Sequence, residues 1–389
     1  MPEHAIQKDD GITDKQARTS PAQPRTGKAL FLATKPFGVE SPRRTWWHVL
    51  STLAAIVAAL AVAVVAPWMP VRLAASVLGG LLLVRGFILY HDYIHKALLR
   101  DSRWGKLVFY PVGMLMLTPP RYWRHSHNFH HGNVGKPLEP KTAIDAGIAG
   151  ASMAGPHMGT DQPEGHAEAK AAELLLISDL GSFPLMSTEA WSRATFMQRL
   201  RYRIKRHWAT IALAYITVFF FSLSLMPMLR NPRRFWDGAI AIVLHLGVLT
   251  GLWFLGGFWA MFFGLMLPFT IASAMGAYLF YAQHNYEGMR ILLPDHWSYY
   301  LGATESSSYM RLGKVMHWFT GNIGYHHIHH LNPLIPFYRL PEAMAAVPEL
   351  QEAVATSLHP RDVVACLRLN LWDRKGERLV RYGQAGGPM

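Results

Sequence analysis

The chain has 389 residues, 51% hydrophobic and only 16% charged, well below the roughly 25% charged residues of soluble domains. Its apolar residues come in long blocks, which excludes an ordinary soluble domain and points to an all-α integral membrane protein. The formal charge of +13 belongs to cytosolic loops that face anionic lipid; no run of Lys and Arg interleaved with aromatics offers nucleic acid a groove. The one cysteine, Cys366, rules out an internal disulfide, a four-cysteine iron–sulfur cluster and a CxxCH haem site. Only a lone haem thiolate stays formally open.

Residues 1–27 are polar, carry Asp9, Asp10 and Asp14, and contain no apolar stretch, so they read as a disordered tail and not as a signal peptide. Residues 28–373 form the main domain. Arg43, Arg44, Trp46 and Trp47 make an interfacial belt before a first span at about 47–66. Pro67 and Pro70 then turn the chain into a second span at about 71–91. Each approaches the ~20 residues that cross a bilayer. Lys96, Arg100, Arg103 and Lys106 follow, which puts both ends of this hairpin on the cytosolic side.

Residues 107–118 are apolar but too short to span, and Pro111 interrupts them; they read as a segment on the inner leaflet. Residues 140–178 are rich in Ala, Gly and small polar residues without an apolar period, as in a surface insertion. Six basic residues between Arg193 and Arg206 mark another cytosolic face. The apolar stretch 208–229 is flanked by basic loops and is expected to lie along that face without spanning. Residues 238–281 carry no charged side chain. As one helix they would reach ~66 Å, about twice the hydrocarbon thickness, so they are expected to turn near Gly256-Gly257 and give spans at 238–255 and 258–281. Residues 341–373 read as soluble helices and 374–389 as a polar C-terminal tail. The expected fold is therefore four transmembrane helices plus membrane-surface helices, with both termini cytosolic.

The chemistry is carried by histidine. His91 and His95 stand at i, i+4; His127, His130 and His131 at i, i+3, i+4; and His326, His329 and His330 repeat that spacing. His284 follows the last span alone. On a helix such spacings gather imidazoles towards one side, and every group falls just past a span or a surface segment on the same membrane face. A single HxxxH is weak, but two HxxHH sets with it are a specific signal. Nine imidazoles exceed what one ion takes, since zinc binds about four ligands; they imply two metal ions. Imidazole suits Fe, Zn, Cu and Ni alike, so the count leaves the metal open. The paired Glu-x-x-His motifs of soluble di-iron bundles are absent.

The boxes His91-Asp-Tyr-Ile-His95, His127-Asn-Phe-His-His131 and His326-His-Ile-His-His330 resemble the three histidine boxes of membrane fatty acid desaturases and related hydroxylases. The stretches Gln283-His-Asn-Tyr-Glu287, Trp318-Phe-Thr-Gly-Asn-Ile-Gly-Tyr325 and Cys366-Leu-Arg-Leu-Asn-Leu-Trp-Asp373 are similar to the bacterial and cyanobacterial acyl-lipid branch. The resemblance covers roughly residues 28–383, apart from 140–178. It implies a cytosolic histidine-rich cap holding a di-iron centre, with a buried acyl channel beneath it. Carried over by motif, the iron ligands are His91, His95, His127, His130, His131, His284, His326, His329 and His330. Asp92, Glu287 and Asn322 would orient ligand rings from behind. His125 and His327 fall outside the spaced pattern, and His245 and His317 read as structural. The coenzyme-A-linked branch has Asn where this chain has Phe280, a departure from that branch.

The implied activity is O2-dependent insertion of a cis double bond into a lipid-linked acyl chain in the bacterial inner membrane. The chain has no GxGxxG fingerprint and no haem domain, so electrons would come from an external donor, and a basic cytosolic face suits an acidic ferredoxin. Two other readings stand beside this one. The same centre can insert oxygen, as in lipid hydroxylases and carotenoid ketolases. From a different class, the boxes could serve a zinc intramembrane peptidase or a metal transporter. However, Asp92 stands where the HExxH peptidase motif has its Glu, and a transporter should place its ligands near mid-membrane.

Overall fold

A computed structural model describes residues 24–137, the strand Leu176–Ile177 and residues 183–385. The proposed tail over 1–27 lies mostly outside the described residues, as does nearly all of the 140–178 insertion. The structure is mostly helical. Among the described residues three helices are long and apolar enough to cross a membrane: Pro42–Val65, Met69–Ile94 and Asp237–Ala282.

The first two pack along their lengths as a hairpin. Small residues let helices approach closely where no water drives them together. A Cβ on Gly80 would meet the Ile271 side chain and the Pro268 carbonyl at 2.9 Å, so glycine brings the second helix against the last. The third apolar stretch is not one rod. Gly256 and Gly257 leave helical geometry, with Gly257 at φ 65° and ψ −157°, a conformation reserved almost wholly for glycine. Leu252 before the break lies against Gly264 after it, so the two halves fold back on each other. The most apolar window of this stretch is only 17% buried, which suits contact with lipid.

Between these long elements lie shorter ones that do not reach spanning length. Arg103–Leu115 is a helix capped by Ser102 that continues through Pro111. Tyr215–Leu225 is π-helical and runs into the short helix Met226–Arg230. Tyr215 and His245 share a hydrogen bond of 2.6 Å, and the other ring nitrogen of His245 faces the Leu115 carbonyl at 3.2 Å. His245 is thus a satisfied core histidine joining three segments.

The C-terminal part corrects the sequence reading twice. The proposed tail over 374–389 does not simply trail away in its described part, which ends at 385: Arg378–Val380 pairs antiparallel with Leu371–Asp373, and burial of Leu379 and Val380 holds the strand in place. Leu371–Asp373 also pairs in parallel with Leu185–Ser187, so a small sheet joins the segment just after the insertion to the C-terminal part and departs from a purely α expectation. A buried arginine locks this sheet to the membrane helices. Arg206, at the end of the Phe196–Arg206 helix, donates to the Pro184 carbonyl (2.7 Å), the Tyr281 hydroxyl (2.9 Å), Asn285 Oδ1 (2.6 Å) and the Leu369 carbonyl (3.0 Å). Neutral acceptors thereby satisfy a guanidinium that burial would otherwise penalise. Cys366 joins the same knot as a thiol donating to the Asn285 carbonyl, and burial pushes its pKa up to about 12.

Candidate metal centre

The helix Met69–Ile94 runs past its apolar length and delivers His91 at its last turn and His95 at its cap. Pro120–Asn133, begun by a proline at its first position as helices favour, carries His127, His130 and His131 on its inner side, all buried. His284 follows the end of the last long helix at Ala282. The short helix His326–Leu331 carries His326, His329 and His330, again all buried.

Among the described residues these nine histidines form two groups, each with ligand atoms within 4.8 Å of one another. One holds His91, His95, His127, His131 and His329; the other holds His130, His284, His326 and His330. Helix geometry explains the division. At 100° per residue, positions i and i+4 lie 40° apart while i+3 and i+4 lie 100° apart. His127 and His131 therefore serve one group and His130 the other, while His326 and His330 pair off from His329. The sequence reading placed three imidazoles together on one face; the helix instead presents a ridge that feeds two neighbouring centres. His131 and His330 stack across the boundary with ring centroids 4.1 Å apart.

The nitrogen atoms bear on what this arrangement can hold. In the four-histidine group Nε2 of His130 lies 3.0 Å from that of His284 and 3.3 Å from that of His330, and Nε2 of His326 lies 2.9 Å and 3.0 Å from those two. In the other group Nε2 of His127 is 2.8 Å from that of His91 and 3.2 Å from that of His131. A neutral imidazole has one donor and one acceptor nitrogen, so four converging Nε2 atoms cannot all pair with one another. A cation among them satisfies every lone pair. Burial also holds His127, His130, His131, His326, His329 and His330 well below the usual imidazole pKa, and that of His284 near 4. These rings stay neutral, the form that binds metal. The donor set fits two transition-metal ions.

Ring orientation comes from partners that only partly match expectation. Asp92 Oδ1 lies 3.1 Å from Nδ1 of His91, and its other oxygen accepts from the Phe337 amide at 2.8 Å. Asn322, at φ 57°, donates to the Phe337 carbonyl at 3.0 Å. It braces the turn that holds Asp92 and does not touch a ring. Glu287 is a correction: it is exposed, beyond the turn that follows His284. The partner of His284 Nδ1 is instead the Ser306 carbonyl at 2.9 Å. A backbone acceptor leaves no mark in sequence, although three buried serines in a row, Ser306 to Ser308, are an unusual polar run.

The histidines left out of the pattern sit elsewhere. His327 is buried with its Nε2 facing the Leu350 carbonyl at 2.9 Å, His317 stacks on Tyr325, and His125 packs beside Phe235. Aromatic neighbours were the residues that sequence reasoning missed. Trp123 stacks on His127 at 4.7 Å and 12°. Phe280 packs against His127, His130, His284 and His326, so one ring spans both groups.

Below Phe280 a narrow apolar cavity runs between the Met69–Ile94 and Leu267–Ala282 helices, with Phe219 and Met116 on its far side. Its upper wall includes His91 from one group and His326 from the other.

Comparison with known proteins agrees with this architecture. The fatty acid desaturase family model matches residues 66–361. The chain belongs to the fatty acid desaturase family. It is 26% identical over 80% of its length to the fatty acid desaturase of Bacillus subtilis (strain 168), covering 77% of that protein. It is also 32% identical to the sn-1 oleoyl-lipid 12-desaturase of Picosynechococcus sp. (strain ATCC 27264 / PCC 7002 / PR-6), over 23% of this chain and 26% of that one. The protein is thus a membrane oxidoreductase of the desaturase family, with histidine clusters compatible with a metal site. The Asp92 carboxylate is engaged on both oxygens, by His91 and by the Phe337 amide.

Proposed function

We propose that this desaturase uses two iron ions, bound by the five- and four-histidine groups, to introduce a cis double bond into an acyl chain carried on a membrane lipid. The observation that carries the reading is the apolar cavity whose wall includes one histidine from each group. With O2 and two electrons, a histidine-bound iron pair supplies an oxidant able to take hydrogen from an unactivated methylene. The protein's own residues do the rest. Leu83, Ile88, Phe219 and Phe269 give an extended hydrocarbon a dry wall, and Phe280 closes the top of the cavity against the rings. A fixed cavity of this kind selects which methylene lies beside the histidines, a positioning effect, and keeps water from the reactive centre.

The membrane reading has four spans: the first hairpin and the two halves of the stretch that breaks at Gly256-Gly257. The basic residues around 96–106, 193–206 and 230–234 support a cytosolic position for the histidine cap in a bacterial inner membrane. An external reductant, of the acidic ferredoxin type, would deliver electrons to that side.

Expression in a host without unsaturated acyl chains tests the activity. Gas chromatography of its lipids is expected to show a new double bond at one position. A new hydroxyl or keto group in its place would assign the chain to the oxygen-inserting enzymes. A second expected result concerns Asp92. Asp92→Ala removes the acceptor that orients His91 and leaves the Phe337 amide unpaired. Partners of this kind are worth roughly 10–100-fold in metal affinity, and competition with a chelator in detergent should show a loss of that size.

A further inference from the structure

A wide groove of about 710 Å3 lies between the Phe196–Arg206 helix and the C-terminal segment, and none of the nine clustered histidines lines it. Arg203, His207, Arg368 and Arg381 line it together with Trp208 and Tyr382, and no acidic residue does. Among the described residues none of these three arginines forms an ion pair. Arg203 is held in place, its guanidinium 5.3 Å from the ring centres of both Trp191 and Tyr382. Holding three cations together unneutralised costs self-repulsion, which an anion in the groove relieves.

The depth of the groove identifies the kind of anion. Arg206 forms part of its wall and reaches the hydroxyl of Tyr281, in the last turn of the apolar helix ending at Ala282. The groove therefore stands where the membrane-crossing stretch meets water. Beside it Phe196, Ile204 and Trp208 are 78%, 56% and 61% exposed. On the helix Phe196, Leu200 and Ile204 recur every four residues and make one apolar stripe beside a basic one, the pattern of a helix lying in the membrane surface. A ligand that meets both features has an anionic head and apolar tails. We propose that this groove binds the phosphate headgroup of an anionic phospholipid, with Trp208 and the apolar stripe against its acyl chains. The proposal holds or fails independently of the reaction at the histidines.

Native mass spectrometry of the full-length protein in detergent tests it, with phosphatidylglycerol, phosphatidylcholine or inorganic phosphate added. The wild type is expected to retain phosphatidylglycerol in preference to phosphatidylcholine and to bind inorganic phosphate weakly. The double variant R368Q/R381Q should hold phosphatidylglycerol roughly thirtyfold less tightly, given about 1 kcal/mol per basic residue at an anionic surface. Its melting temperature in the same detergent should be unchanged, since both side chains are exposed. R368K/R381K, which keeps the charge, should bind within a few-fold of wild type. Equal retention of the two lipids, or undiminished retention by R368Q/R381Q, would overturn the proposal. Binding of inorganic phosphate as tight as that of the lipid would assign the groove to a soluble anion and overturn it as well.

Discussion

Replacing His330 by alanine is expected to abolish desaturation and to lower the metal content of the purified protein, while the chain still inserts in the membrane. His330 is fully buried and its Nε2 lies 3.0 Å from that of His326 and 3.3 Å from that of His130. Its removal takes one nitrogen from a set of four, and the three rings that remain cannot complete an ordinary four-ligand shell. Because His330 also stacks on His131 of the five-histidine group, loss of one ring should disturb both centres. Metal per chain and product formation should fall together, the product to below detection. His327→Ala is the control. Its ring is equally buried but faces the Leu350 carbonyl, so it should reduce thermal stability and leave metal content near wild type. Full desaturation by the His330 variant would remove the four-histidine group from the mechanism.

The second large effect is expected from filling the cavity without touching a histidine. Gly276 lines it, and a Cβ there would meet only the Phe219 ring, at 3.8 Å. Backbone and neighbours therefore accept a side chain, and the further atoms of Gly276→Leu would occupy the space assigned to hydrocarbon. Leucine is also a better helix former than glycine, so the fold should not suffer. Activity on long acyl chains should fall about 100-fold, the scale of a misplaced substrate, with metal content unchanged. Any remaining product should come from shorter chains. Metal retained with activity lost would separate the cavity from the metal centre. Unchanged activity would show that the acyl chain lies elsewhere.

Much of the site was legible in the sequence because a helix repeats so regularly. Spacings of three and four residues, set just past long apolar blocks, singled out nine histidines, and the same nine converge in the structure. The split into five and four was not legible. It depends on where three separate helices aim their ridges, which spacing within one helix does not determine. Asp92 was accessible because it adjoins a spaced histidine. The Ser306 carbonyl was not, because a backbone acceptor is the same in every residue type, and Glu287 was named in its place. Phe280 could be seen as a departure from the coenzyme-A-linked pattern, yet its place between both histidine groups is a matter of packing.

The fold shows the same division. Gly256-Gly257 stood out within a long uncharged block, and the helix breaks there because only glycine tolerates the geometry of residue 257. The hairpin of residues 371–380 was missed since its strands have three residues each, too few to display alternation. The Arg206 knot brings together partners from positions 184 to 369, a separation at which local pattern says nothing.

The proposed reaction needs two iron ions, held by the two histidine groups. Elemental analysis of the purified full-length protein, with desaturation assayed on the same preparations, tests it most directly. Two irons per chain are expected, with activity that rises and falls with iron content. One ion per chain, or zinc in an active preparation, would contradict it.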